Sequence, residues 1–183
     1  MVPYLETERL LLQPLCQSDA PQIQKTFPRW EIVRYLVASI PWPYPADGAQ
    51  KFLSEVALPA MEAQQAWIWS LRLKSAPDKL IGIIGLYDKE DNHRGFWLAP
   101  EYQHQGLMAE ACECANAYWF TELNRPLLRV EKATVNARSE VISKAQHMRK
   151  IKSYTQNYVG GVFATSLWEL TREEWLSYHL PSE

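Results

Sequence analysis

The chain has 183 residues, 47% hydrophobic and 22% charged, with a net charge of -2. That length can bury a sizeable core in one domain, 1–183, and the near-neutral balance excludes the basic stripe that sequence-blind nucleic-acid binding needs. No apolar run approaches the ~18 residues of a membrane span, and the N-terminal "MVPYLETERLLLQPL" lacks the basic and apolar regions of a secretion signal.

The cysteines Cys16, Cys112 and Cys114 show no framework spacing, which argues for reduced thiols and a cytoplasmic setting. On a helix Cys112 and Cys114 fall about 200° apart, a poor geometry for one ion, so no metal is expected.

Residues 8–15 read as a first strand. Ser18 or Asp19 can cap a following helix with Pro21 in its first turn, and 30–36 reads as a second short helix. Pro41, Pro43 and Pro45 forbid a helix and stiffen an aromatic loop carrying Trp42 and Tyr44. Asp47 is a plausible cap for a helix over 49–64, which Pro59 should kink or split. Strands follow at 66–74, 80–88 and 94–100, joined by the turns "SAPDK" and "KEDNH", whose lengths suit antiparallel neighbours. The near-continuous apolar run "LIGIIGLYD" is typical of a central strand.

The stretch "LAPEYQHQGLMAEA" then leads into a helix over 107–123. A helix start offers unpaired N–H groups and the positive end of its dipole, and Gly106 would let a phosphate approach the backbone. One glycine at a strand-to-helix turn also suits an ordinary connection. A strand at 127–135 follows. Asn136 or Ser139 can cap the next helix; two strands separated by Gly160-Gly161 and a terminal helix, 172–180, complete the chain. The helix between the strands at 94–100 and 127–135 suits a parallel crossover, so the class is α/β.

Together, "WLAPEYQHQGLMAEA", "ETERLLLQPL", "PYPADGAQKFL", "LIGIIGL", "NARSEVISKA" and "LWELTREEW", in this order and spacing, resemble the GNAT superfamily of N-acetyltransferases over nearly the whole chain. The branch they resemble includes the ribosomal-protein N-terminal acetyltransferases. Gln103 and Gly106 fit fixed positions of its acetyl-CoA motif. Met108 stands where the family has a small residue, His104 where a glycine is common, and Gln146-His147 where a glycine usually precedes the next strand.

The resemblance implies a central mixed, mostly antiparallel sheet with helices on both faces, its fourth and fifth strands (94–100 and 127–135) parallel and splayed around acetyl-CoA. It implies direct attack of an amine on the thioester, with acetyl-CoA as cosubstrate. Gln103, His104, Gln105, Gly106, Leu107 and Met108 would hold the pyrophosphate. Backbone groups of Phe96, Trp97 and Leu98 would pair with the pantetheine arm like an added strand, and the Asn136 side chain would hold the cofactor.

His93 has an unperturbed pKa that suits a general base, although a solvated turn histidine fits the same sequence. The resemblance implies that Ser139 meets the cofactor sulfur; it can equally cap a helix. Tyr154 or Tyr158 could be an acid, with packing the commoner role; Glu110 is explained by the helix start, and His147 and His179 by surface or packing roles. Trp42, Tyr44 and Trp69 are candidate walls for the acceptor, with a core role open for the strand tryptophans Trp67 and Trp69. The acceptor is a protein N-terminus or a small-molecule amine, with no nucleic-acid or membrane partner, in a monomer or homodimer. Met108 and His104 motivate a second hypothesis, a GNAT-like module that binds CoA or a protein without catalysis.

Overall fold

The computed structural model describes residues 1–179; Leu180, the expected end of the terminal helix, lies outside them. The strand expected at 8–15 forms as β2 (Leu10–Pro14), preceded by a short additional strand, β1 (Leu5–Glu6). Helices α1 (Ala20–Thr26) and α2 (Trp30–Val33) follow, with Pro21 in the first turn of α1.

The expected helix over 49–64 is divided. Short α3 (Gly48–Lys51) runs into a π-helical turn (Phe52–Ala57) and then α4 (Leu58–Glu62). Pro59 lacks an N–H and crowds the preceding turn, and the wider turn just before it accommodates both defects. Asp47 occupies the N-cap position without a side-chain cap bond and instead pairs with Lys51 at 2.8 Å.

Strands β3 (Ala66–Leu73), β4 (Ala76–Tyr87) and β5 (Arg94–Leu98) form the meander, and with β1 and β2 they make a five-stranded antiparallel sheet in sequence order. "SAPDK" is not a turn throughout: β4 begins at Ala76, which pairs with Leu73. Register irregularities at Leu71–Leu73 let the hairpin extend through polar, exposed residues that periodicity alone reads as loop.

Helix α5 (Leu107–Ala117) continues into a π-helical turn (Tyr118–Glu122), then β6 (Leu127–Ala133), α6 (Ala137–Ala145), β7 (Arg149–Tyr158), β8 (Gly161–Thr171) and α7 (Arg172–His179). Strands β6, β8 and β7 form a second antiparallel sheet in that order. The left-handed turn expected of a glycine before β7 is adopted by His147 (φ 60°), whose ring stacks on Tyr178 at 4.0 Å.

Alternation along β3 divides the core. Trp67, Trp69 and Leu71 join the cluster built on α5 through Leu107, Met108, Ala111, Cys112 and Ala115. Ile68 joins the cluster on the other face, with Ile23 of α1, Ala49 and Leu53. Helices therefore cover both faces, as a sheet with two apolar sides requires. Among the described residues no ladder joins β5 to β6, which lie in separate sheets, an arrangement compatible with the expected splay of these two strands.

Candidate functional site

The unpaired edge of β5 faces the first strand of the second sheet across a gap. Among the described residues the hydrogen bonds across it lie at one end only. There the His93 backbone N–H donates to the Arg129 carbonyl (2.7 Å), and the Glu131 N–H donates to the Asn92 side chain (3.2 Å).

His93 belongs to this seam rather than to an open catalytic position. Its Nδ1 accepts the Arg129 N–H at 2.8 Å, and its Nε2 donates to the Lys89 carbonyl at 2.9 Å. The ring is buried and stacked on Trp119, and burial holds its pKa below the usual histidine value. With both nitrogens engaged, it offers no free lone pair to an incoming amine. The residue is neither a base nor a solvated turn; it replaces a missing rung between the strands.

From this seam the gap opens towards Leu98. The Ala99 N–H donates to Ile81 of β4, so by alternation the Trp97 backbone also faces β4, and the outward edge belongs to Phe96 and Leu98. The Trp97 ring packs on Phe27 at 5.3 Å, beneath α1.

The wide end is formed by residues 103–108. His104 and Gly106 both adopt left-handed backbone (φ 62° and 76°), so the chain turns sharply into α5. Gly106 is the N-cap and has no side chain to offer, which leaves first-turn N–H groups free for an anion. His104 and Gln105 are exposed, whereas Leu107 and Met108 turn into the core. Met108 therefore does not crowd the loop mouth.

Two guanidiniums flank this turn. Arg9 donates from Nη1 to the Gln105 carbonyl (2.8 Å) and from Nε to Glu110 (2.7 Å). Arg138, in the first turn of α6, donates to the Gln103 side chain, and Gln103 in turn donates to the Leu98 carbonyl at 2.8 Å. Neither arginine stood out in the sequence: Arg9 reaches the loop from the distant turn between β1 and β2, and Arg138 sat in a segment read for its capping residues.

Across the gap, Asn136 holds the N-cap position of α6 with its side chain free of a cap bond. Ser139 is not the cap. It is buried and accepts a hydrogen bond from Lys132 Nζ at 2.6 Å. On the other face of β6, Glu131 accepts a hydrogen bond from the Tyr154 hydroxyl. Burial and then Glu131 push the Tyr154 pKa up, so this phenol is a protonated donor. The Glu131–Tyr154 pair was missed because an acid within a strand and a tyrosine in a distant hairpin share no local pattern.

The aromatic candidates separate. Trp42 is exposed and packs beside Trp30, with ring centroids 5.7 Å apart. Tyr44 packs on Phe27 at 5.1 Å and against Gly48, where an added Cβ would meet its ring at 2.6 Å. Trp69 is fully buried, donates to the Pro3 carbonyl at 2.7 Å and meets Tyr118 edge-to-face at 5.5 Å, so it is a core residue and not an acceptor wall. The β7–β8 hairpin docks beside α2, where Val159 and Gly160 N–H groups donate to the Leu36 and Arg34 carbonyls, each at 3.0 Å.

Among the described residues, no group of three or more His, Cys, Asp or Glu side chains is gathered as a metal ion would require, and no helix is long and apolar enough to cross a membrane.

Comparison with known proteins agrees with this fold. The chain is 26% identical to the uncharacterized N-acetyltransferase YoaA of Bacillus subtilis (strain 168) over 132 residues, 67% of this chain and 70% of that protein. Its fold is similar to a ribosomal-protein alanine acetyltransferase from Vibrio fischeri, with TM-score 0.79, 18% identity and coverage of 94% and 98% of the two chains. It is equally similar to RimL, a ribosomal-protein alpha-N-acetyltransferase solved with coenzyme A, with TM-score 0.79, 13% identity and coverage of 94% and 99%. The family model described as an acetyltransferase (GNAT) domain matches residues 9–149. The chain thus belongs to the GNAT acetyltransferase family and is an acyltransferase by membership.

Proposed function

We propose that the protein, acting as one domain over 1–183, transfers an acyl group from a CoA thioester to a primary amine, acetyl in the simplest case. The observation that carries this reading is the gap between β5 and β6, open at one strand edge and ending in an uncapped helix start. Phosphates fit the 103–108 turn, where N–H groups and the α5 dipole favour an anion and Arg9 and Arg138 add charge. The pantetheine amides fit the outward edge at Phe96 and the Leu98 N–H as a short added strand, the Leu98 carbonyl being held by Gln103. The Asn136 side chain faces the same ligand from α6.

The thioester then lies near the seam. A backbone N–H of β5 stabilises charge growing on its oxygen. Glu131 takes the ammonium or amine proton on the acceptor face, with the Tyr154 hydroxyl holding the carboxylate in place. Ser139 donates to the departing thiolate. The amine approaches between α2 and the β7–β8 hairpin, with Trp30 and Trp42 as an exposed aromatic pair suited to a cationic or extended acceptor. A protein N-terminus is favoured over a small molecule, since this aromatic pair is open to solvent and the relatives of similar fold include ribosomal-protein acetyltransferases. The three free cysteines suit a cytoplasmic setting.

Glu131→Gln tests the assignment. With acetyl-CoA and a panel of peptide and small amines, kcat should fall by roughly 10²–10⁴ while the KM for acetyl-CoA holds. An unchanged kcat would remove Glu131 from the reaction.

A further inference from the structure

Beside the narrow end of the gap, on the α5 face, two cationic side chains are buried without an ion-pair partner among the described residues. Arg94 is 3% exposed and Lys132 4%. Lys132 Nζ donates to Ser139 (2.6 Å), and Arg94 Nη1 donates to the carbonyl oxygens of Asn116 (2.6 Å) and Gln146 (2.9 Å). Arg94 Nε and Nη2, Asn116 Nδ2 and Ser143 Oγ have no partner among the described residues.

The neighbouring acids are otherwise engaged. Glu140 accepts from Ser166 at 3.4 Å and lies 3.9 Å from Lys144, while Glu113 pairs with His179 at 2.5 Å. Burial pushes the Cys112 thiol up, which keeps it neutral.

The Phe96 ring lies 5.4 Å from Lys132 Nζ and 6.0 Å from the Arg94 guanidinium carbon. Contacts of this kind offset only part of the desolvation penalty of a buried ion. Lys132 escapes part of that penalty by releasing its proton, its pKa being pushed down to about 7 by burial and then by Arg94. Arg94 has no such escape. Water can satisfy the idle donors, but it supplies no charge.

We propose that Lys132 and Arg94 form a carboxylate subsite for the acyl tip of a dicarboxylic acyl-CoA, of the malonyl or succinyl kind. The inference rests on the reading of the gap as an acyl-CoA site. With phosphates at 103–108 and pantetheine along Leu98 and Phe96, the acyl end points to the seam. There Arg94, Phe96 and Lys132 share the α5 face. An acetyl group stops short of them, whereas a longer acyl chain carries the missing negative charge to them. In the transfer, the amine nitrogen bonds the thioester carbonyl carbon and the C–S bond breaks. The amine loses a proton, the thiolate gains one, and the distal carboxylate is unchanged. Uncharged acyl groups leave the buried donors unpaired, which gives the selectivity a physical origin.

Calorimetric titration with CoA, acetyl-CoA, malonyl-CoA and succinyl-CoA tests this on the wild type, Lys132→Met and Arg94→Met, with thermal melts to establish folding. The wild type should bind malonyl- or succinyl-CoA at least roughly tenfold more tightly than acetyl-CoA, as a charge-assisted contact predicts. Either folded variant should lose that preference while still binding CoA. Should Arg94→Met fail to fold, Lys132→Met suffices. Equal affinity of the wild type for all the thioesters, or a preference kept in Lys132→Met, overturns the subsite but leaves the CoA reading standing. No binding of CoA itself overturns both.

Discussion

The two ends of the gap between β5 and β6 both present positive charge, by opposite means. At the wide end the donors are backbone N–H groups at a helix start, and the arginines are solvated and already hydrogen-bonded to the loop. At the narrow end the charges are buried, and part of their donor capacity is idle. An exposed cation adds little affinity, is screened by salt, and tolerates many anions. A buried cation without a partner destabilises the protein and repays that only when a matching anion arrives. The wide end is therefore suited to gripping a phosphate common to all CoA thioesters, and the narrow end to choosing among acyl groups.

The largest expected effect that sharpens this contrast is on stability. Lys132→Met removes a buried charge without changing bulk much, and should raise stability by about 1–4 kcal/mol near neutral pH. The folded pKa of Lys132 is depressed from 10.5 to about 7, so its favourable contribution is complete above 10.5 and is lost as pH falls towards 7. The gain from Lys132→Met should then be greatest at or below pH 7 and fade towards 10.5, as denaturant titration across that range would reveal. The charged and titratable groups around it are Arg94, Cys112 and Glu140. A variant less stable than the wild type at every pH would mean that the cation is paired after all.

A smaller effect is expected at the wide end. Arg9→Ala and Arg138→Ala should each weaken CoA binding only several-fold at low salt, and the difference should shrink as salt rises. Loss of all binding in either variant would break the contrast, because it would place the grip in side chains instead of the backbone.

The fold was largely legible in the sequence. Alternating tryptophans in β3, a continuous apolar run in β4 and proline-marked loops each carry a local signal, and local signals fix elements and their order. The extension of β4 through residues 76–79 was not legible, because register shifts in its partner strand decide it. The site divides in the same way. The 103–108 loop was readable because a helix start and a left-handed glycine are local. His93 was misassigned because its chemistry fits a base, while the Arg129 N–H that occupies its lone pair arrives from another sheet. Trp69 was placed in the acceptor wall although its alternation with Ile68 allowed either face, and packing on Tyr118 settles which. Lys132 looked like any lysine in a strand. Only the arrival of Phe96, Ser139 and α5 around it makes it buried.

The most direct test of the account is a calorimetric titration of CoA into the wild type and Gly106→Trp. A side chain at that left-handed position strains the turn and fills the phosphate approach, 3.4 Å from Arg9 Nη2 already for a bare Cβ. The account predicts saturable binding by the wild type and its loss in the variant, with the fold retained by circular dichroism. Undiminished binding by the folded variant, or none by the folded wild type, would contradict it.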